Sequence, residues 1–205
     1  MQRALVFAPV VAQFLLLGAL TLARMTSAHA AEPCTPVVGE LVSVEGQVEV
    51  QHEAAAWQRA AVGTPLCQRD TVRVGPRSRG TIALINDAIL RLDQNTTVNL
   101  LEIVREPEER SLIDLVIGAF QSFSRSPRTM AVSTPYLNAT IEGTEFALRA
   151  EPQRTFLTVL EGRIAAANEF GKIQVAGGQS AVAEAGKAPA PYVVVQPRDA
   201  VQWAL

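Results

Sequence analysis

The chemistry open to this chain depends first on its histidines and cysteines. Beyond the first thirty residues there is one histidine, His52, which stands between Gln51 and Glu53 at the end of an alternating stretch. A Ser-His-Asp or Cys-His site would have to use this histidine, but its surroundings are typical of a surface strand and turn. Zinc sites draw several ligands from His and Cys, and the two cysteines, Cys34 and Cys67, are expected to pair with each other. We therefore predict no catalytic residue and no metal site on these side chains.

The carboxylates offer two further candidates for chemistry. Glu142 and Glu145 bracket Gly143-Thr144, where a glycine bulge can re-aim side chains into a site. A structural role is favoured, although the sequence leaves open a carboxylate-only enzyme. A second group of carboxylates could in principle supply the two acids of a glycosidase. These carboxylates alternate with basic residues and a proline, however, which predicts a solvated loop. The group consists of Glu102, Glu106, Glu108 and Glu109, interleaved with Arg105, Pro107 and Arg110.

Cofactors and nucleic acid are also disfavoured. The segment Gly177-Gly178-Gln179-Ser180 lacks the lysine and helix of a phosphate-binding loop, so it predicts a turn and no nucleotide cofactor. Without residues 1–30 the chain has 16 basic and 20 acidic residues, a net charge of −4. Attraction to nucleic acid or to an anionic bilayer needs a basic surface. We therefore expect no nucleic acid partner.

The N-terminus has the pattern of an export signal. Residues 4–23 are almost wholly apolar, and Arg3 and Arg24 are the only charged residues before Glu32. The small residues Ala28 and Ala30 predict cleavage between Ala30 and Ala31. An uncleaved membrane anchor is the alternative, but Pro9 and Gln13 count against a spanning helix. We expect a periplasmic or secreted protein with no stable membrane insertion after cleavage.

Export also explains the cysteines. Both lie in the exported part of the chain, and an even pair in an oxidising compartment predicts the disulfide Cys34–Cys67. Two free thiols are the alternative. Closing this loop would stabilise the fold by roughly 3–4 kcal/mol in the chain-entropy picture. The bond would attach the N-terminal edge to the rest of the domain.

Short β-branched runs separated by Gly, Pro, Asn and Asp predict an all-β fold, a sandwich or a solenoid-like stack of short strands. Gly46 interrupts the alternating stretch 42–50 on its apolar parity, which favours one bent strand. Asn86-Asp87 predicts a hairpin turn. Glu161-Gly162 predicts another, with Val159 opposite Ile164. Gly143 predicts a bulge, because the parity of the apolar residues breaks there.

The C-terminal part is organised differently. Residues 185–191 have the composition of a linker, 192–195 predict a last strand, and Pro197-Arg198-Asp199 predicts the start of a helix. The domains are then a signal peptide at 1–30, a β domain at 31–188 and a C-terminal segment at 189–205. Trp203 and Leu205 would need cover from a partner or from further chain.

The order of these features resembles the FecR domain of bacterial envelope signalling and sensor proteins. The resembling stretches are Gly39 to Val42, Gly46 to Val50, Cys67 to Arg73, Ser78 to Leu92, Val132 to Pro135, Gly143 to Phe146, Glu161 to Ile164, and Gly178-Gln179. At Arg69 the chain departs from the resemblance, which implies a glycine before Asp70. We expect the turn there to be shaped differently.

The resemblance implies a regulator that senses an outer-membrane receptor and holds a sigma factor in the cytoplasm. Only three residues precede the apolar run, so we expect no cytoplasmic sigma-factor-binding segment here. The chain is more similar to the exported branch of the family, in which helical repeats often follow the domain. Its end within a helix would fit truncation before such repeats.

We therefore predict a non-catalytic interaction or sensory module that binds an unidentified envelope protein through strand edges and loops. The alternative is a glycan- or peptidoglycan-binding module of the cell wall, which would need exposed aromatic residues on one face.

Overall fold

The computed structural model describes residues 35–104, 110–194 and 196–204, and it confirms the all-β class. The predicted signal peptide with its cleavage site, Cys34, residues 105–109 and Leu205 lie outside the described residues. The strands are β1 Val37–Glu45, β2 Val48–Gln51, β3 Gln58–Arg59, β4 Pro65–Cys67, β5 Thr71–Val74, β6 Arg79–Leu84, β7 Ile89–Leu92, β8 Thr97–Val104, β9 Arg110–Ser133, β10 Asn138–Glu151, β11 Arg154–Asn168, β12 Gly171–Ala176, β13 Ser180–Glu184 and β14 Ala190–Tyr192.

All strand pairs are antiparallel and belong to one continuous sheet. Its main path runs β14-β13-β11-β10-β9-β7-β6-β1-β4. A second path runs from β9 through β8 and β5 to β2, which follows β1 directly along the chain. The two paths meet at both ends, because β9 belongs to both of them and β1 leads directly into β2. They therefore close a barrel. Closure pairs each barrel strand with barrel neighbours, whereas β10 to β14 lie outside the ring.

The barrel interior is filled by alternate residues of its strands. In β2, β5 and β7 buried residues alternate with half-buried ones, as expected for strands with one face on a core. Phe120 of β9 and Phe146 of β10 meet edge to face, with ring centroids 5.9 Å apart and an interplanar angle of 73°. Such aromatic pairs add about 0.5–1.5 kcal/mol beyond the area that they bury.

Gly46 lies at the bend between β1 and β2, at φ 77°. On one side of it β1 pairs with β6, and on the other side β2 pairs with β5. β1 and β2 do not pair with each other, so the chain bends at Gly46 between two strands and forms no hairpin there. A Cβ atom at position 46 would overlap Ser78, whose hydroxyl accepts a hydrogen bond from the Gln47 N–H at 2.8 Å.

The hairpin predicted at Asn86-Asp87 is confirmed. Ala83 of β6 pairs with Ile89 of β7, and Asp87 adopts φ 64° in the turn. Asn86 is buried and donates from Nδ2 to the Ser111 hydroxyl at 2.8 Å. This side chain therefore ties the turn to the first residues of β9.

The hairpin predicted at Glu161-Gly162 is wrong. β11 continues through these two residues, and Val159 and Ile164 pair with β10, opposite Phe146 and Ile141. Gly162, at φ 99°, lies opposite Gly143, and the register of β10 against β11 shifts between Gly143 and Phe146. Beyond this point β11 exchanges its partner β13 for β12. The apolar residues match because both halves of one bent strand face the core.

The C-terminal segment also differs from the expectation. The last strand is Ala190–Tyr192, which begins inside the predicted linker, and the helix is a 3-10 helix at Pro197–Ala204. The helix lies against the sheet: Val201 is buried, and the Ala204 carbonyl accepts a hydrogen bond from Arg91 Nη1 at 3.0 Å. Over the part of the chain that the structure describes, no helix is long and apolar enough to cross a membrane.

Candidate functional site

His52 contacts a residue that the sequence did not single out. Its Nδ1 lies 2.7 Å from Oδ1 of Asp70, which is 1% exposed. The other oxygen of Asp70 accepts a hydrogen bond from the Cys67 N–H at 2.6 Å. The pair therefore fixes the turn between β4 and β5. Within residues 35–104, 110–194 and 196–204, no cluster of three or more His, Cys, Asp or Glu residues could hold a metal ion.

The two candidate carboxylates have different surroundings. Glu142 is exposed and lines a shallow hollow of about 410 Å³ together with Arg163 of β11. Glu145 is half-buried and accepts a hydrogen bond from Gln121 Nε2 at 2.6 Å. This contact holds the buried side-chain amide of Gln121 in place. Glu145 therefore has a structural role, as the sequence favoured.

β12 presents an unpaired strand edge. Among the described residues, four strands have a single pairing partner, and the other three contain only two or three residues: β3, β4 and β14. The hairpin of β11 and β12 closes at Asn168 and Gly171, so alternate residues from Gly171 onward bond to β11. Lys172 and Gln174 then direct their N–H and C=O groups away from the sheet.

The end of this edge is capped. The Ala176 N–H donates to the side-chain oxygen of Gln179 at 2.9 Å, as expected for a residue whose amide points away from β11. The free part of the edge is therefore centred on Lys172 to Gln174. Pro191 in β14 lacks an N–H, which makes that shorter edge a poorer template.

Exposed apolar side chains surround the β12 edge. A groove of about 380 Å³ runs beside β12 and is lined by Ile173 and by the segment after β14. Val193 in this segment is 86% exposed, and Tyr192 is 44% exposed. Phe170, at the tip of the β11–β12 hairpin, is 52% exposed. Large apolar residues held in water beside an unpaired edge are typical of an interaction surface.

The 3-10 helix covers a second cavity on the neighbouring sheet face. Its volume is about 340 Å³, and its floor is formed by β9, β10 and β11. The lining residues are Ala119, Ala147, Leu148, Arg149, Phe156, Thr158, Tyr192, Val194, Asp199, Ala200 and Trp203. Tyr192 and Val194 line both this cavity and the groove beside β12.

Comparisons with known proteins bear on the barrel. The family model described as FecR protein matches residues 70–165, slightly less than half of the chain. This region is therefore similar to FecR proteins. This confirms the resemblance drawn from the sequence. No curated protein matches the chain.

The chain shares its fold with a candidate anti-sigma factor from Parabacteroides distasonis ATCC 8503. Two crystal structures of that protein, at 2.50 Å and 1.65 Å resolution, match with a TM-score of 0.56 and 11% identity. The match covers 65% of this chain and 63% or 64% of the other, which is slightly less than two thirds of its length. At this identity the likeness concerns the fold.

The matched FecR region ends before the candidate site is complete. It extends from Asp70 to Ala165 and so contains most of the barrel together with β10. The edge strand β12, the strands β13 and β14 and the 3-10 helix follow it. Sequence reasoning missed β12 as a binding edge, and the one available signal was the exposed pattern of Lys172 and Gln174.

Arg69 lies immediately before the matched FecR region, at the position where the resemblance implied a glycine. It adopts φ 69°, the left-handed conformation that glycine takes most readily. Its N–H donates to the Leu100 carbonyl at 2.6 Å. The turn therefore keeps a glycine-like backbone, and the expected change in its shape is not needed to accommodate arginine.

Proposed function

We propose that this chain is a non-catalytic signalling module of the cell envelope that binds a partner protein by adding a strand of the partner to β12. The observation that carries this proposal is the unpaired β12 edge beside exposed apolar residues. The FecR domain and its regulator-like fold neighbours support a signalling role.

Strand addition would use groups that β12 already presents. The backbones of Lys172 and Gln174 each offer a donor and an acceptor, and each hydrogen bond formed contributes about 0.5–1.5 kcal/mol. Side chains of the added strand that face the core would enter the groove beside Ile173 and Val193. Backbone pairing would supply affinity, and the groove would supply selectivity for apolar side chains.

The proposed location outside the cytoplasm rests on the N-terminal pattern and on the cysteines. Cys67 is buried at the end of β4, beside the turn that Asp70 fixes. Its pairing with Cys34 stays a prediction, as does cleavage between Ala30 and Ala31. Mass spectrometry of the mature protein under non-reducing conditions tests both, since it reports the N-terminal residue and the mass of any linked peptide.

The binding proposal is tested by a matched pair of variants at one position. Gln174→Pro removes an outward N–H that β11 does not use, whereas Gln174→Val keeps this N–H and favours a strand. We expect the proline variant to lose capture of the partner in cells and the valine variant to keep it, with similar melting temperatures. Equal capture by both variants would exclude β12 as the binding edge.

Glycan binding is the second candidate function, and Trp57 is the residue that decides it. Trp57 is half-buried, and the Arg73 guanidinium lies 4.0 Å from its ring centroid. Arg73 is held there by Glu49, whose Oε2 accepts hydrogen bonds from Nη2 at 2.7 Å and from Nε at 3.0 Å. The guanidinium thus occupies the position over the ring that a sugar would use. Co-sedimentation with purified sacculi, abolished by Trp57→Ala, would nevertheless establish this function.

A further inference from the structure

The cavity beneath the 3-10 helix has the size and lining of a site for a small ligand. Its volume of about 340 Å³ lies at the lower end of the range of about 300–1,000 Å³ that is usual for ligand pockets. The space exists because small side chains meet on three adjacent strands: Ala119, Ala147 and Thr158. Three aromatic side chains form its walls: Phe156, Tyr192 and Trp203.

The aromatic walls are held in place by contacts with one another and with the backbone. Phe156 and Tyr192 meet edge to face, with centroids 5.1 Å apart. Trp203 donates from Nε1 to the Ala200 carbonyl at 2.9 Å. An apolar ring placed among them would be surrounded by aromatic surface, which is the environment that planar ligands prefer.

The same cavity carries one positive and one negative side chain, on different elements. Arg149 belongs to the floor, and Asp199 belongs to the helix that covers it. Arg149 donates from Nη2 to Asp93 Oδ2 at a long 3.3 Å and is 42% exposed, so its guanidinium has donors left for a ligand. Asp199 accepts a hydrogen bond from Gln202 Nε2 at 2.9 Å through one oxygen.

We propose that this cavity binds a small zwitterionic aromatic compound of the chemical class of a free aromatic amino acid. The carboxylate of the ligand pairs with Arg149, and its ammonium pairs with Asp199. Its ring packs against the aromatic walls. A purely apolar ligand would desolvate both charged groups without pairing them, and a singly charged ligand would leave one of them unpaired.

The binding site extends beyond the family domain. Most of the floor lies within residues 70–165, whereas Tyr192, Asp199 and Trp203 come from the segment after them. The C-terminal segment thus supplies the negative charge and two of the aromatic walls. A FecR domain without this segment would lack the site.

The experiment uses the exported protein carrying Trp57→Phe, in which Trp203 is the only indole. Phenylalanine is titrated into it while Trp203 emission is recorded. We expect a saturable change in emission. Phenethylamine lacks the carboxylate and N-acetylphenylalanine lacks the ammonium, so each should bind at least about tenfold more weakly, because one charge-assisted contact is lost.

Two variants test the charged residues. Arg149→Met and Asp199→Asn should each weaken phenylalanine binding by about tenfold or more, whereas the control Arg163→Met, in the hollow beside Glu142, should leave it unchanged. Each variant's unfolding transition is measured, so that loss of binding is separated from loss of fold. The absence of a saturable response to phenylalanine, or equal binding of phenylalanine and phenethylamine, would overturn the proposal. Neither result depends on partner binding at β12.

Discussion

Asp70 holds the turn between β4 and β5 because each of its carboxylate oxygens has a hydrogen-bonding partner. One partner is the Cys67 N–H and the other is His52 Nδ1. The sequence showed His52 as the single histidine beyond residue 30 but not its partner, which lies eighteen positions away. Pairing across this separation depends on how β2 and β5 align, and no local pattern encodes that alignment.

Replacing Asp70 tests whether the pair is structural. Asp70→Ala leaves the buried Cys67 N–H without an acceptor, and we expect the free energy of unfolding to fall by about 2–3 kcal/mol. Asp70→Asn, which keeps an acceptor oxygen, should cost less. Urea denaturation measures both variants. The structural role would be wrong if alanine and asparagine had the same small effect.

Arg69 gives a second prediction at this turn. A non-glycine residue in the left-handed region costs roughly 1–2 kcal/mol, whereas glycine adds unfolded-state entropy. We expect Arg69→Gly to leave the stability unchanged or to raise it by up to about 1 kcal/mol. Arg163→Gly, in the middle of β11, should instead be destabilising. Chemical denaturation of the two variants compares the sites, and a similar loss at both would contradict the argument.

The Glu184–Lys187 pair predicts a dependence on pH. A hydrogen bond from Lys187, together with its positive charge, lowers the pKa of Glu184. The stabilisation is therefore present above the unfolded-state pKa of the carboxyl group and is lost as the pH falls through its folded-state pKa. Lys187→Met should move the pKa of Glu184 up towards its ordinary value, as followed by carbon NMR titration. Lys172→Met serves as the control, and an unchanged midpoint in Lys187→Met would refute the assignment.

At the scale of elements, the sequence showed where strands are interrupted. It did not show whether an interruption is a hairpin turn or a bend within one strand. Asn86-Asp87 was predictable because its two residues tolerate the left-handed conformation that a tight turn requires. Glu161-Gly162 has the sequence pattern of a similar turn, since the apolar residues Val159 and Ile164 would lie opposite each other in a hairpin. A bend that keeps both halves of β11 on the core gives the same apolar match as a hairpin. Only the pairing of both halves with β10 distinguishes the two.

Gly118 marks the point where β9 changes partners, and it tests the importance of such bends. The residues before it pair with β8, and those after it pair with β7 and β10. Gly118 has φ 93°, and a Cβ atom there would overlap the backbone of Thr96. Gly178 has a similar φ of 83°, but nothing lies within 4 Å of its Cβ position.

These two glycines form a matched pair. Gly178→Ala should cost about 1 kcal/mol, which is the backbone penalty alone. Gly118→Ala adds a backbone clash at the barrel, so its cost should exceed about 3 kcal/mol or prevent folding. Thermal and urea unfolding of both variants give the comparison. Equal costs would show that β9 can bend without a glycine at this position.

At the scale of the whole molecule, the barrel serves as a scaffold and the later strands carry the candidate site. Of the described strands that have a single pairing partner, β12 is the longest. The sequence predicted binding through strand edges but could not identify the edge. Long-range strand pairing decides which strand lies at an edge. The polar pattern of Lys172 and Gln174 is typical of any strand with one exposed face, so it does not mark an edge.

We propose above that β12 receives a strand of a partner protein. The most direct measurement places a photo-crosslinking amino acid at Gln174, and in a second protein at Leu101 on β8. Cells that produce each protein are then irradiated. We expect one discrete envelope protein to be linked at position 174, this product to be lost when Lys172→Pro is added, and no such product to form at position 101. Equal labelling at both positions, or a product at 174 that survives the proline, would contradict it.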